Sequence, residues 1–200
     1  MISGLDVGPT SLDLGEWYML DALRALDNGW IVYVRPQLEA TQPSFVVAHP
    51  MYGICVADVR DWVVGAHRQD FDGRLEQATP EHNWAPIDDM PRAQVHRSRS
   101  EIVRRFFDDC GSPTAKLGLV RAIVVLPRYR TGDARELLSV PQVGGRGEQS
   151  VEGWGGGRLK SARLAVLTGR AKPARRKVPV EGFHSMCQML NDAGSLQLSR

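Results

Sequence analysis

Two apolar runs joined by a short turn constrain this chain more than any other feature. Phe45-Val-Val-Ala48 and Ile54-Cys-Val-Ala-Asp-Val59 flank His49-Pro-Met-Tyr-Gly53. Proline fixes one backbone dihedral of that turn and glycine permits a positive one, so the chain can reverse there. The runs therefore read as adjacent strands of a hairpin. Side chains alternate across a strand, so Asp58 and Arg60 project from one face while Val59 points to the other. Ser44, which opens the first run, is carried to the same edge. An acid and a base projecting together from an apolar strand mark either an ion pair at a sheet edge or a working site.

The flanking segments supply the rest of an α/β plan. Leu14, Trp17, Tyr18, Met19, Leu20, Leu23 and Leu26 recur at near-helical spacing, behind Thr10 and Ser11 as candidate N-caps. Asn28-Gly29 stops that helix, and Trp30 to Val34 reads as a strand closed by Pro36. From Asp61 to Pro91 the sequence is polar and irregular. A second helix begins near Pro91 and buries Ile102, Val103, Phe106 and Phe107. Leu117 to Leu126 is the most apolar run, and Ile123-Val-Val125 with Pro127 favours a buried strand. Ala134 to Leu138 suits a short helix, Gly144 to Gly157 a flexible loop, Arg163 to Leu167 a last strand, and Phe183 to Leu190 a helix ended by Asn191 and Gly194. The expected organisation is a core over 1–140. Residues 141–200 supply a glycine-rich loop, a basic segment and a C-terminal helix packed on that core.

Composition agrees with one folded unit. The chain has 200 residues, 42% hydrophobic and 24% charged, with a formal net charge of +2, so charge alone names no partner. Its 3 cysteines, Cys55, Cys110 and Cys187, are far apart and form no CxxC, which indicates neither a disulfide framework nor a zinc ribbon. Residues 1–13 lack the basic and apolar regions of a secretory signal. No apolar run reaches the roughly 20 residues needed to span a bilayer. A cytoplasmic protein with no membrane partner is the expectation.

Gly15-Glu16, the strand entry Pro43-Ser-Phe-Val-Val47, the turn His49 to Gly53, and Ile54-Cys-Val-Ala-Asp-Val-Arg-Asp-Trp62 together resemble the nuclease-related domain family. That family belongs to the restriction-endonuclease-like superfamily named for its PD-(D/E)XK motif. Its usual pattern is Pro-Asp-Phe-Val-Val, a glycine turn, then Val-x-Glu-Val-Lys-Asp-Trp. Pro91 and Gln94, before the second helix, resemble a further element. The resemblance covers about a quarter of the chain and fades past Pro141. It implies a mixed sheet flanked by helices, a metal-dependent DNA nuclease (a hydrolase using Mg²⁺ or Mn²⁺), and DNA as partner, with a helicase or other protein beside it. On this pattern Asp58, Arg60, Ser44, Glu16 and Gln94 are the catalytic positions, and Asp58 and Glu16 the metal ligands.

Three departures bear on the chemistry. Active members hold a hard cation with two carboxylates and a backbone carbonyl, and the metal lowers the pKa of a bound water. A lysine steadies the charge that builds on phosphorus. Here Ser44 replaces the first acid and brings no charge. Asp58 stands where glutamate is usual. Arg60 replaces the lysine and stays protonated. Two readings follow: an endonuclease with a weakened active site, or a catalytically inactive DNA- or protein-binding module of a repair or defence system. Rebuilding the pattern with Ser44→Asp, Asp58→Glu and Arg60→Lys is expected to restore metal binding.

A block free of Asp and Glu holds Arg158, Lys160, Arg163, Arg170, Lys172, Arg175, Arg176 and Lys177, which suits a phosphate backbone as well as a solvated surface. Arg97, Arg99, Arg104 and Arg105 add positive charge on the second helix. Gly153-Trp-Gly-Gly-Gly157 matches no phosphate-loop pattern, and Trp154 has either a base to stack on or a loop to pin. His49 reads as a turn residue before it reads as a ligand. His184 and Cys187 have the spacing of a metal pair with no second pair in view, so a packed helix is the better account.

Overall fold

The computed structural model describes residues 12–24, 26, 29–107, 119–138, 152–155, 180–192 and 196–198. Helix α1 (Leu14–Leu23) precedes an antiparallel meander of β1 (Ile31–Val34), β2 (Phe45–His49) and β3 (Gly53–Val59). Asp13, not Thr10 or Ser11, is the N-cap of α1. Its carboxylate accepts from the Glu16 N–H at 2.7 Å, and the Glu16 side chain accepts from the Asp13 N–H at 3.1 Å. This reciprocal capping box fixes the helix start and the position of Glu16 together.

Between β3 and the next helix the chain builds β4 (His67–Gln69), β5 (Leu75–Ala78) and β6 (Trp84–Pro86), a separate three-stranded antiparallel sheet. The polarity of Asp61 to Pro91 had suggested irregular structure. Of their residues only Leu75 is buried, so no apolar alternation marks these strands; backbone pairing holds them in register, and ring contacts add to it. Trp62 stacks on His67 with centroids 4.1 Å apart, and the Arg68 guanidinium lies 4.2 Å over the Trp84 ring, a cation–π contact.

Helix α2 (Pro91–Phe106) begins with proline in its first turn, where the missing N–H costs nothing. It leads to β7 (Val120–Leu126), which lies parallel to β3, and then to α3 (Thr131–Leu137). Beyond it, β8 (Glu152–Gly155) pairs parallel to β7, helix α4 runs Val180–Asp192, and β9 (Leu196–Leu198) pairs antiparallel to β1. The large sheet has the order β8-β7-β3-β2-β1-β9. Part of the glycine cluster is thus strand rather than loop, its backbone held in register with Ile123 to Leu126. The strand expected over Arg163 to Leu167 lies outside the described residues, as does Cys110.

Alternation assigns each strand residue to one of two cores. Val46, Ala48, Ile54, Val56 and Val124 face Val95 and Ile102 of α2 and Phe183, Met186 and Leu190 of α4. Phe45, Val47, Ala57, Val59 and Val125 face Met19, Leu20 and Leu23 of α1. Leu14, Trp17 and Tyr18, which the spacing had placed on the buried face of α1, are exposed. No described helix is long and apolar enough to cross a membrane.

Helix α4 docks through Gly182. A Cβ there would stand 2.3 Å from the Phe106 carbonyl oxygen and 3.0 Å from the Phe107 ring. The backbone carbonyl cannot step aside. Gly182→Ala should destabilise the protein by about 1–3 kcal/mol through overpacking, although alanine favours helix by roughly 1 kcal/mol. Urea unfolding checks this, and an alanine variant as stable as the parent would show that α4 does not pack so closely.

Candidate active site

The residues singled out in the hairpin meet at one end of the large sheet. Phe45 pairs with Ala57, so Ser44 lies opposite Asp58 one step further along. Both belong to the face that carries α2. The Ser44 hydroxyl accepts the buried Val59 N–H at 3.0 Å, and its carbonyl accepts the Arg35 N–H at 2.8 Å. Ser44 therefore closes the ends of β1, β2 and β3 against one another. Past β3, the Arg60 N–H still donates to the Val125 carbonyl at 2.9 Å, which keeps its side chain in step with Asp58.

Arg60 is the hub on this face. Its Nε donates to Asp58 Oδ2 at 2.9 Å, its Nη2 donates to Gln94 Oε1, and Asp89 Oδ2 lies 3.8 Å from Nη2. Gln94 comes from the first turn of α2 and Asp89 from the segment before it. Pro91 and Gln94 lie within the first turn of α2 rather than ahead of the helix, and the Gln94 side chain reaches Arg60 at the strand end.

Asp58 is only 4% exposed. Burial pushes its carboxyl up to about 6, against the pull of Arg60, and the negative charges of Asp89 and Glu16 push the same way. Arg60 does not win because it is partly exposed, so water screens its charge while Asp58 loses its own hydration. The influence of Glu16 on Asp58 ties the two carboxylates electrostatically, although α1 lies on the opposite face of the sheet.

Glu16 is 3% exposed and is gripped by Arg35. Arg35 Nε donates to Oε1 at 3.0 Å and Nη2 to Oε2 at 2.5 Å, a two-bonded fork. That fork holds the Arg35 guanidinium charged more firmly than usual. Arg35 follows β1 with φ of 47°, a left-handed conformation that a non-glycine residue adopts at a cost of about 1–3 kcal/mol. No sequence pattern marks this residue; it takes its place from strand pairing, since Val34 pairs with Phe45 and one further step sets Arg35 beside Ser44. Gly15 lets α1 come this close, since a Cβ there would sit 3.2 Å from Asp61 Cβ and 3.3 Å from Pro127 Cγ.

Other sequence candidates fall elsewhere. Asp61 forms a two-bonded pair with Arg128, both contacts at 2.7 Å, and so braces the strand end. His49 lies at the turn between β2 and β3, where Nδ1 accepts the Met51 N–H at 3.0 Å and the ring meets Trp30 and Tyr52. Arg97 pairs with Asp89, and Arg104 and Arg105 both pair with Glu39, while Arg99 is buried. The positive charge expected on α2 is thus largely matched or enclosed. The Cys187 carbonyl accepts the Tyr33 hydroxyl at 3.3 Å, which fits a packed helix. Arg158, Lys160, Arg163, Arg170, Lys172, Arg175, Arg176 and Lys177 lie outside the described residues.

The donor set does not fit a divalent cation as it stands. Both carboxylates give oxygens to guanidinium groups, and the third position offers a neutral hydroxyl already bonded to backbone. Among the described residues no group of three or more His, Cys, Asp or Glu side chains is arranged to hold a metal. A hard cation wants several anionic or carbonyl oxygens free to turn toward it.

Fold and site together define a mixed α/β protein with a mixed large sheet, a smaller antiparallel sheet, and a polar ion-paired cluster at one end of the large one. Comparison with family models, with curated proteins and with solved structures gives no match.

Proposed function

We propose that this chain is a nuclease-related module of the restriction-endonuclease-like kind that contacts DNA without cutting it efficiently. The observation that carries this reading is the state of the motif positions: Asp58 bonded to Arg60, and Ser44 bonded to the Val59 N–H where a carboxylate would be needed. The order of helix, three-stranded meander, helix and parallel strand supports the family assignment. So does the meeting of Ser44, Asp58, Arg60 and Gln94 at one sheet end. The basic block from Arg158 to Lys177 supplies the charge for phosphate contacts.

Binding is expected to be electrostatic and weakly dependent on sequence. Four phosphate contacts give a slope of log K against log salt near −3.6, from about 0.9 per contact on duplex DNA. Fluorescence anisotropy with a labelled duplex in EDTA measures it, and Arg175→Ala, Arg176→Ala and Lys177→Ala together should flatten the slope. Supercoiled plasmid incubated with Mg²⁺ should stay intact. Strong Mg²⁺-dependent nicking abolished by Asp58→Ala would establish the endonuclease instead, and no DNA binding at low salt would remove the DNA reading.

A further inference from the structure

We propose that Arg35 is an internal cation that closes the carboxylate site, and that it, rather than the three motif substitutions alone, keeps a divalent metal out. The inference rests on reading the sheet end as a former metal site. Glu16 is the one motif carboxylate this chain keeps unchanged, yet both its oxygens are taken by the Arg35 fork at 3.0 and 2.5 Å. The fork is not a loose surface pairing. The Arg35 backbone is pinned by its N–H to the Ser44 carbonyl at 2.8 Å and held in the left-handed region at φ 47°, which turns its side chain over the strand ends toward α1. On the other side of Glu16, the Asp13 capping box fixes where the carboxylate stands. Carboxylate and guanidinium thus face each other from two segments whose backbones are fixed, and a metal ion would have to compete with the fork.

Charge gives the same answer. At this end of the sheet Glu16 and Asp58 are matched by Arg35 and Arg60, so the positive charge a divalent cation would bring is already present in the chain. A metal could enter only by displacing a guanidinium that is itself a multiple hydrogen-bond donor. Ser44→Asp, Asp58→Glu and Arg60→Lys together would rebuild the hairpin side and leave Glu16 occupied. The geometry adds a fourth position to any restoration.

The test is Mn²⁺ binding to the full chain, followed by the electron paramagnetic resonance signal of free Mn²⁺. Four proteins are compared: the parent, Arg35→Gln, the triple hairpin variant, and the triple variant carrying Arg35→Gln. Circular dichroism shows that each is folded. The four-position variant should bind Mn²⁺ roughly tenfold or more tighter than the triple variant, the scale on which partners of metal ligands tune affinity. Adding Glu16→Gln to it should abolish the gain. Should the glutamine variants not fold, Arg35→Lys serves in their place, because a lysine keeps the charge but cannot make the fork; added to the triple variant it should tighten Mn²⁺ binding over the triple variant alone, and an unchanged affinity would overturn the proposal. Equal affinity of folded triple and four-position variants would overturn the proposal. So would saturable Mn²⁺ binding by the parent that Glu16→Gln removes. Anisotropy on the same proteins in EDTA reads DNA binding separately, so a failure of the DNA reading leaves the Mn²⁺ comparison standing.

Discussion

Replacing Arg35 with alanine should destabilise the protein by about 3–5 kcal/mol, the usual cost of leaving one member of a buried ion pair without its partner. Glu16 is the buried member, and its bond to the Asp13 N–H holds the carboxylate in place at the start of α1. The opposite change is expected to cost less, because Arg35 is partly exposed and its guanidinium can be hydrated where it stands. Glu16→Gln with Arg35→Ala should therefore recover much of the loss seen for Arg35→Ala alone. A glycine separates two effects in the same position: it loses the fork as alanine does, but relaxes the left-handed backbone. Arg35→Gly should be more stable than Arg35→Ala by roughly 1 kcal/mol. Urea midpoints at neutral pH with EDTA present give all four values. A loss under about 1 kcal/mol for Arg35→Ala, in the range of exposed ion pairs, would show that the fork is a surface contact and that Glu16 is not held by it.

That Arg35 escaped the sequence reading has a physical reason. Hairpin residues were found because period-two alternation and turn chemistry are local: Ser44, Asp58 and Arg60 fall within one strand-turn-strand unit, and β2 and β3 formed as expected. Arg35 and Glu16 are brought together by β1 and α1, which are joined through tertiary packing that no local pattern states. Polar pairs carry no periodicity. The same limit explains the small sheet between β3 and α2, whose strands have little buried surface to announce them, and β9, whose short run gains its place only by pairing with β1. Conversely, β7 was legible because a parallel strand covered on both faces must be apolar throughout, and six of its seven residues are buried. The exposed Leu14, Trp17 and Tyr18 show the converse error. Apolar residues recur around most of α1, so spacing alone did not say which side met the sheet.

Site chemistry was legible in kind but not in state. Reading Asp58 and Arg60 as neighbours on one face was enough to expect an ion pair, and the pair is there at 2.9 Å. What alternation cannot give is depth. Asp58 is enclosed by the strand ends and by α2, and that enclosure decides its ionisation more than the arginine beside it does. Gln94 and Asp89, which share Arg60, divert part of the guanidinium from Asp58 and add a second negative charge nearby.

Asp58 should accordingly weaken the fold as pH rises. Its carboxyl sits at about 6 in the native protein, against 3.8 for the ordinary group. Below 3.8 the native and unfolded chains both hold the proton, and the contribution of Asp58 to stability is complete. Between the two values the unfolded chain releases its proton while the native chain keeps it, so stability drains away with rising pH. Above about 6 both are ionised and the loss is constant, near 3 kcal/mol for about two pH units at 1.36 kcal/mol each. Other carboxylates that gain partners on folding pull in the opposite direction, so the raw stability curve does not isolate this group. The difference between Asp58→Asn and the parent does. Asparagine keeps an oxygen to accept from Arg60 Nε but has no proton to lose, so the variant should gain on the parent by up to about 3 kcal/mol between pH 4 and pH 7, with EDTA present throughout. Denaturant unfolding at several pH values measures that difference. If it stays flat, burial does not govern Asp58; if the parent gains on the variant as pH rises, Arg60 outweighs burial and the carboxyl lies below its ordinary value.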